Sequence, residues 1–226
     1  MLQAILFDVD GTLVDSNALH VEAWREAFRR FGKELSFDEV HQQIGKGGDQ
    51  LIPVFCTPEE VKRFGEAVER FRLELFTRDY LPRAKPFPKA RELIARIKDD
   101  GLVVALASSS KAPEVTHHVQ ALGVGDLIDA RTSADDVEHS KPCPDVFQAA
   151  LRALHGVEPR HAIVVGDTPY DAIAARRAGL RTLAVLSGGF PEDELAQAGA
   201  MDVYDDVADL LARYDDSVIA RERPGR

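Results

Sequence analysis

The chain has 226 residues and a mass of 24.9 kDa, with 28 Lys and Arg against 38 Asp and Glu, a formal charge of −10. Its 45% hydrophobic and 29% charged residues are an ordinary soluble globular mix, which excludes a disordered or collagen-like chain. The acidic balance argues against nucleic acid and against a membrane surface, because both need a basic face. A small phosphorylated metabolite remains compatible, provided a local lysine or a metal ion receives it. From the N-terminus, residues 2–7 read as a buried strand, and Asp8-Val9-Asp10-Gly11-Thr12 leaves its tip. Residues 15–80 then show no strand signal. Helical periodicity covers 19–31, 37–44 and 59–76, broken by Gly45–Gly48 and by Thr57-Pro58. Residues 81–88 (LPRAKPFP) are proline-rich and read as a stiff return linker.

Beyond the linker, strands and helices alternate. Residues 89–98 place Ala90, Leu93, Ile94 and Ile97 on one helical stripe. Apolar runs at 102–107, 162–165 and 182–186 are too short for helices and lack period-two alternation, so both faces are expected to be covered. Helices are expected at 113–122, 144–154 and 169–178, each with proline near its start. Gly101, Gly123 and Gly179 sit where left-handed helix caps belong. This alternation predicts an α/β fold, a parallel sheet with helices on both faces. A core of 1–14 and 83–226 carries a helical insert at 15–82. Residues 221–226 are expected to fray. Two cysteines, Cys56 and Cys143, are too few for a disulfide framework, so they read as packing residues in a reduced cytoplasmic setting. Neither a basic n-region nor an apolar run near the ~18 residues of a bilayer span is present.

In doubly wound sheets, ligands gather beyond the carboxyl ends of the strands. Four polar spellings leave those tips: FDVDGTLVDS, ALASSS, HSKPCPD and VVGDTPYD. Each alone has a bland reading, as a turn, a helix cap or a solvated loop lysine. Ser110 in particular reads as a helix cap. Capping does not explain all four together and in this order. The set resembles the haloacid dehalogenase-like hydrolase superfamily, over residues 2–187. The resemblance implies a Rossmann-like core. The insert after the first motif is similar to the cap of the subgroup with phosphoglycolate phosphatases, β-phosphoglucomutases, phosphonatases and haloacid dehalogenases.

The resemblance implies a role for each residue. Asp8 would be the nucleophile that forms an aspartyl phosphate. Asp10 would protonate the leaving alkoxide and then take a proton from water. Thr12 would position Asp10 or order the turn. Mg²⁺ would be held by Asp8, by Asp10 through its backbone carbonyl and by Asp167, with Asp171 binding a metal-bound water or the ion itself. Lys141 would neutralise phosphoryl oxygens, and Ser108 and Ser109 with nearby amides would donate to them. From the insert, His20, Lys46 and Gly47 are the candidate substrate contacts, whereas Trp24 reads as helix core. The expected activity is Mg²⁺-dependent hydrolysis of a small phosphomonoester, phosphoglycolate or sugar-phosphate-like, by a monomer or homodimer. A β-phosphoglucomutase-like isomerase is the alternative. A phospho-acceptor or a silent binding protein is more distant. Dehalogenation is disfavoured by Asp10, and the surroundings of Lys46 do not match the Schiff-base lysine of phosphonatases.

Overall fold

The computed structural model describes residues 1–225. Its centre is a six-stranded sheet in the order β5-β4-β1-β6-β7-β8, with every pairing parallel. The strands are β1 (Ala4–Phe7), β4 (Val103–Ala107), β5 (Ala130–Thr132), β6 (Ala162–Gly166), β7 (Arg181–Val185) and β8 (Ala200–Tyr204). Successive side chains of a strand face opposite ways. Ile5 and Phe7 therefore join one apolar layer with Val104, Leu106, Ile163 and Val165, while Ala4 and Leu6 join the other with Ala105, Ala107 and Val164. Helix α6 (Ala90–Asp99) covers the first layer through Leu93, Ile94 and Ile97. Helices α8 (Asp145–Ala153) and α9 (Pro169–Arg177) cover the second through Val146, Phe147, Ala174 and Ala175. Helix α7 (Ala112–Leu122) follows β4. From β1 the chain builds outward through β4 and β5, then returns to lay β6 on the other side of β1. The order thus reverses beside β1, and the tips of β1, β4 and β6 share one edge of the sheet.

Residues 17–80 leave the sheet and pack on themselves. They comprise α1 (Asn17–Arg30), α2 (Phe37–His41), α3 (Gly48–Phe55), the short α4 (Pro58–Glu60), a π-helical turn at Val61–Gly65, α5 (Glu66–Leu75) and a second π-helical turn at Phe76–Tyr80. Val21, Trp24, Phe28, Val40, Leu51, Ile52 and Val68 form their shared apolar centre. Trp24 lies in that centre, as its helix-core reading holds.

Several elements depart from the sequence reading. Residues 81–88 are more than a linker, because β3 (Lys85–Pro86) pairs antiparallel with β2 (Val14–Asp15). The two crossings are thereby tied into one ribbon. Strands β5 and β8 went unread because ART and AMDVY hold no continuous apolar run. Both lie at sheet edges, where burial on both faces is not demanded. Residues 221–222 do not fray, since the C-terminal helix (Val218–Glu222) is anchored by an Arg181–Glu222 ion pair of 2.7 Å and by Leu2 N–H donating to the Glu222 carbonyl at 2.8 Å. Arg226 lies outside the described residues.

Candidate active site at the strand tips

Asp8 stands at the tip of β1, its amide bonded to the Val165 carbonyl at 2.9 Å across the β1–β6 pairing. Asp167 follows β6, and Asp171 lies in the first turn of α9. Carboxylate oxygens of these three buried acids all lie within 4.8 Å of one another. Thr12 donates to Asp167 Oδ1 at 2.7 Å, and Asn17 Nδ2 donates to Asp167 Oδ2 at 2.8 Å. Asp171 Oδ2 accepts from the Thr168 amide at 3.1 Å and hydroxyl at 2.7 Å, so it caps its own helix while facing the cluster. Lys141 is fully buried; its ammonium contacts Asp8 Oδ1 and lies 2.8 Å from Asp171 Oδ1. Gly11 makes the turn possible. Its φ is +80°, and a Cβ there would sit 2.2 Å from Asp167 Oδ2.

Electrostatics separates the acids. Burial pushes Asp8 from 3.8 up to about 7, with Asp171 and Asp10 adding to the rise and Lys141 opposing it. Asp167 is raised well above the ordinary carboxylate range by burial, then by Asp8 and Asp171. Burial acts against the Lys141 charge, but Asp171 and Asp8 outweigh it and hold the ammonium above its ordinary value. Asp10 behaves oppositely. Burial would raise it, yet His20 and His118 beside it hold the carboxyl well below its ordinary value.

The Asp10 side chain points away from the acid cluster, toward the insert. Its Oδ1 accepts from Ser16 Oγ at 2.7 Å and meets His20 Nε2 at 2.9 Å. His118 Nε2 lies 3.2 Å from the same oxygen but out of line for a hydrogen bond, so that contact is electrostatic. Oδ2 accepts from Ser110 Oγ at 2.8 Å and from Ser108 Oγ at 3.4 Å. Ser110 is therefore not merely a cap: the N-cap of α7 is Lys111, and the Ser110 hydroxyl is on Asp10. His20 Nδ1 is met by Arg72, which has no acceptor, so the imidazole proton sits on Nε2 and is donated to Asp10. Arg72 in turn pairs with the buried Glu114 of α7 at 2.8 Å, and His20 stacks on Phe76 at 4.0 Å.

Above Asp8 and Asp10 lies a cavity of about 50 Å³, walled by Ser108 and Ser109 below and by His20, Trp24, Lys46, Gly47 and Arg72 from the insert. The Ser109 hydroxyl is buried and unpartnered. Lys46 turns its ammonium to Gln43 Oε1 at 2.6 Å and to the Tyr170 ring, 4.5 Å from the centroid. The Gly47 amide donates to Ser140 Oγ at 2.8 Å. The structure thus gathers Asp8, Asp10, Thr12, Ser108, Lys141, Asp167 and Asp171 at one edge. Of the insert residues, His20 is on Asp10, while Lys46 and Gly47 are engaged by protein groups at the rim.

Sequence reasoning passed over Ser16, Asn17, Arg72, Glu114 and His118. A signal existed for the last three. Glu114, Val115, His118 and Leu122 form the buried stripe of α7, and Val68, Arg72 and Leu75 that of α5. Charged residues on a stripe that helical periodicity assigns to the interior demand buried partners.

The donor set fits a hard divalent cation. Asp8, Asp167 and Asp171 offer only carboxylate oxygens, Asp171 Oδ1 has no aligned hydrogen bond, and burial disfavours charge on Asp8 and Asp167, which a cation would offset.

Comparison with known proteins shows the family. Over 217 residues the chain is 35% identical to the chloroplastic protein SUPPRESSOR OF QUENCHING 1 of Arabidopsis thaliana, covering 92% of this chain but only 20% of that much longer one. It is 30% identical over 184 residues to the validoxylamine A 7'-phosphate phosphatase of Streptomyces hygroscopicus subsp. limoneus, 80% of this chain and 84% of that enzyme. The crystal structure of a hydrolase from Pseudomonas syringae superposes with a TM-score of 0.82 at 31% identity, covering 95% of this chain and 98% of that one. The family model that matches residues 5–185 spans every strand-tip residue described above, from Asp8 to Asp171, and by it the chain belongs to the haloacid dehalogenase-like hydrolases.

Proposed function

We propose that the protein is a Mg²⁺-dependent phosphatase that hydrolyses a small phosphomonoester through a covalent phosphate on Asp8. The observation that supports this best is the division between two carboxylates at one strand tip. Asp8 lies among acids and a buried lysine, whereas Asp10 is turned away and held by two imidazoles and three hydroxyls. Two titratable groups driven apart by their environments mark separate roles.

In the first half, an oxygen of Asp8 attacks phosphorus and the bond from phosphorus to the leaving oxygen breaks. Asp10 gives that oxygen a proton. In the second half a water attacks phosphorus, Asp10 takes the water's proton, and the bond to Asp8 breaks to restore the carboxylate and free inorganic phosphate. Held ionised by His20 and His118, Asp10 is in the form the base step needs. For the acid step it must enter protonated, and His20 and His118 are the groups within reach to share that proton. Lys141 offsets charge on the phosphoryl oxygens, and Ser108 and Ser109 donate to them. Asp8, Asp167 and the backbone carbonyl of Asp10 would hold Mg²⁺, with Asp171 directly or through water. The ion supplies Lewis-acid stabilisation of the phosphoryl charge and screens Asp8 from the substrate dianion.

The insert acts as a cap in this reading. His20, Trp24, Lys46 and Arg72 of the insert wall the cavity over Asp8 and Asp10, so a swing of the insert away from the core would widen the way in for substrate. The β2–β3 ribbon is the place to bend.

One observation favours the mutase alternative, the His20 contact that ties the insert to Asp10. A mutase also needs a second anion site in the insert. Residues 45–49 hold no arginine, and the Lys46 ammonium is taken by Gln43 and Tyr170. Hydrolysis is therefore the better reading. The test is phosphate release from an aryl phosphate, expected with Mg²⁺ and lost in excess chelator. Full activity in chelator overturns the proposal.

A further inference from the structure

The glycine-rich loop between α2 and α3 meets the core rather than empty space. A Cβ on Gly45 would lie 2.6 Å from Thr168 Oγ1, and a Cβ on Gly47 would lie 2.6 Å from Ser140 Oγ. The two core residues so closely approached are the immediate neighbours of Asp167 and Lys141 in the chain. At Ser140 the docking becomes specific. The Gly47 amide donates to Ser140 Oγ at 2.8 Å, the Ser140 hydroxyl donates to Asp49 Oδ1, and the Ser140 amide donates to Asp49 Oδ2 at 3.0 Å. Ser140 is buried, so these contacts have few alternatives while the insert is docked.

We infer that Asp49 is a positioning residue: by gripping Ser140 it sets the place of Lys141, and the nucleophilic site is complete only when the insert is docked. The inference rests on the phosphatase reading for its kinetic consequences. Lys141 is the only cation in contact with both Asp8 and Asp171 among the described residues, and it directly follows Ser140, the residue Asp49 holds. When the insert opens, Ser140 loses both the carboxylate and the Gly47 amide. The segment around Lys141 then keeps only its core contacts, the Cys143 amide on the Ser140 carbonyl at 3.0 Å and Arg177 on the Pro142 carbonyl at 2.8 Å. Charge neutralisation at Asp8 thus comes with closure, when water is excluded, and relaxes when product must leave. Displacing a reacting group by about 1 Å can cost on the order of 10²-fold in rate, which sets the scale.

The variants are Asp49→Ala, Asp49→Glu and Ser140→Ala, each in the full chain with Mg²⁺. For Asp49→Ala we expect kcat on an aryl phosphate to fall roughly 10- to 100-fold, with KM changed by less than about threefold and the melting temperature unchanged. Asp49→Glu restores part of kcat. Ser140→Ala added to Asp49→Ala lowers kcat no further, because both act through one contact. Parental kcat in Asp49→Ala overturns the inference. So do losses that multiply in the double variant, or a fall in kcat that follows a fall in melting temperature. Hydrogen exchange at the Ser140 amide reads the grip without catalysis: faster exchange in Asp49→Ala supports it, and unchanged exchange refutes it. A parent protein that releases no phosphate would refute the phosphatase reading alone, leaving hydrogen exchange to decide on the grip.

Discussion

Removing the divalent cation and raising the pH should destabilise this protein, by an amount the acid cluster defines. Asp8 is held at about 7 in the folded chain against 3.8 ordinarily. The folded state therefore binds that proton more tightly than the unfolded chain does. Between these two values the folded protein carries the proton and the unfolded chain does not, so stability falls as pH rises and levels off above about 7. The full difference is roughly 4 kcal/mol at 1.36 kcal/mol per pH unit, a large part of the 5–15 kcal/mol typical of a domain. His118 acts in the same direction at higher pH. Burial works against its charge, but Asp10 overcomes this and raises it, so its contribution is present below about 6.5 and is lost above. Asp10 is lowered, and its contribution is lost only below about 3.8, outside the window. The assay is urea unfolding in excess chelator at pH 5 and pH 8. We expect a lower midpoint at pH 8, recovery of that midpoint with Mg²⁺, and a flatter pH dependence in Asp8→Asn. Equal midpoints at the two pH values in chelator, or no response to Mg²⁺ at pH 8, would refute the reasoning.

Asp8→Asn should abolish both turnover and covalent phosphate capture, while Asp10→Asn should lower kcat by about 10²–10⁴-fold, as loss of a general acid–base does; near-parental kcat in Asp8→Asn would remove Asp8 from the nucleophile role. Glu114→Gln leaves the buried Arg72 charge without its partner, so about 3–5 kcal/mol of stability should be lost, measured by urea unfolding, with most of it recovered in Glu114→Gln/Arg72→Met. A steady release of phosphate from small phosphomonoesters is expected, with no efficient conversion of β-glucose 1-phosphate to glucose 6-phosphate. Rapid isomerisation primed by a sugar bisphosphate would instead establish the mutase.

What could be read from the sequence was whatever depends on local pattern. β1, β4, β6 and β7 were legible because burial on both faces demands unbroken apolar runs such as AILF and AIVVG. The stripe of α6 was legible because one face only is buried. Asp8, Asp10, Asp167 and Lys141 were legible because strand tips converge wherever a parallel sheet reverses its order. The partners of Asp10 were not. Ser16 and His20 belong to the start of α1, Ser110 and His118 to the α7 segment nearly a hundred residues on, and the way Asp10 turns is decided by which of them reach it. Gly47 shows the same limit. The sequence offered it as a substrate contact, and in the structure its amide donates to Ser140 of the core. α3 was missed because Gly47-Gly48 and Pro53 read as breakers, although Gly47 serves as the N-cap.

The chemistry of the contacts between insert and core explains why closure can be both specific and reversible. The apolar side chains of the insert are spent internally, around Trp24, Phe28 and Leu51, and those of the core lie on the two faces of the sheet. Apart from Leu19 against the core's apolar layer and His41 stacked on Phe190, what crosses the gap is polar: His20 to Asp10, Asn17 to Asp167, Arg72 to Glu114, Asp49 to Ser140, His41 to the Gly188 carbonyl and the Tyr170 hydroxyl to the Gln42 carbonyl. An apolar interface of that extent would resist opening, because every Å² exposed costs about 25 cal/mol. A hydrogen bond exchanged with water is worth only about 0.5–1.5 kcal/mol net, so such contacts fix orientation at small cost to release. Three of them end on Asp10, Asp167 and the neighbour of Lys141. Opening the insert would therefore disturb Asp10, the acid cluster and the buried cation together. A rigid closed state would trap product. A polar interface lets one motion assemble the site around substrate and take it apart again for release.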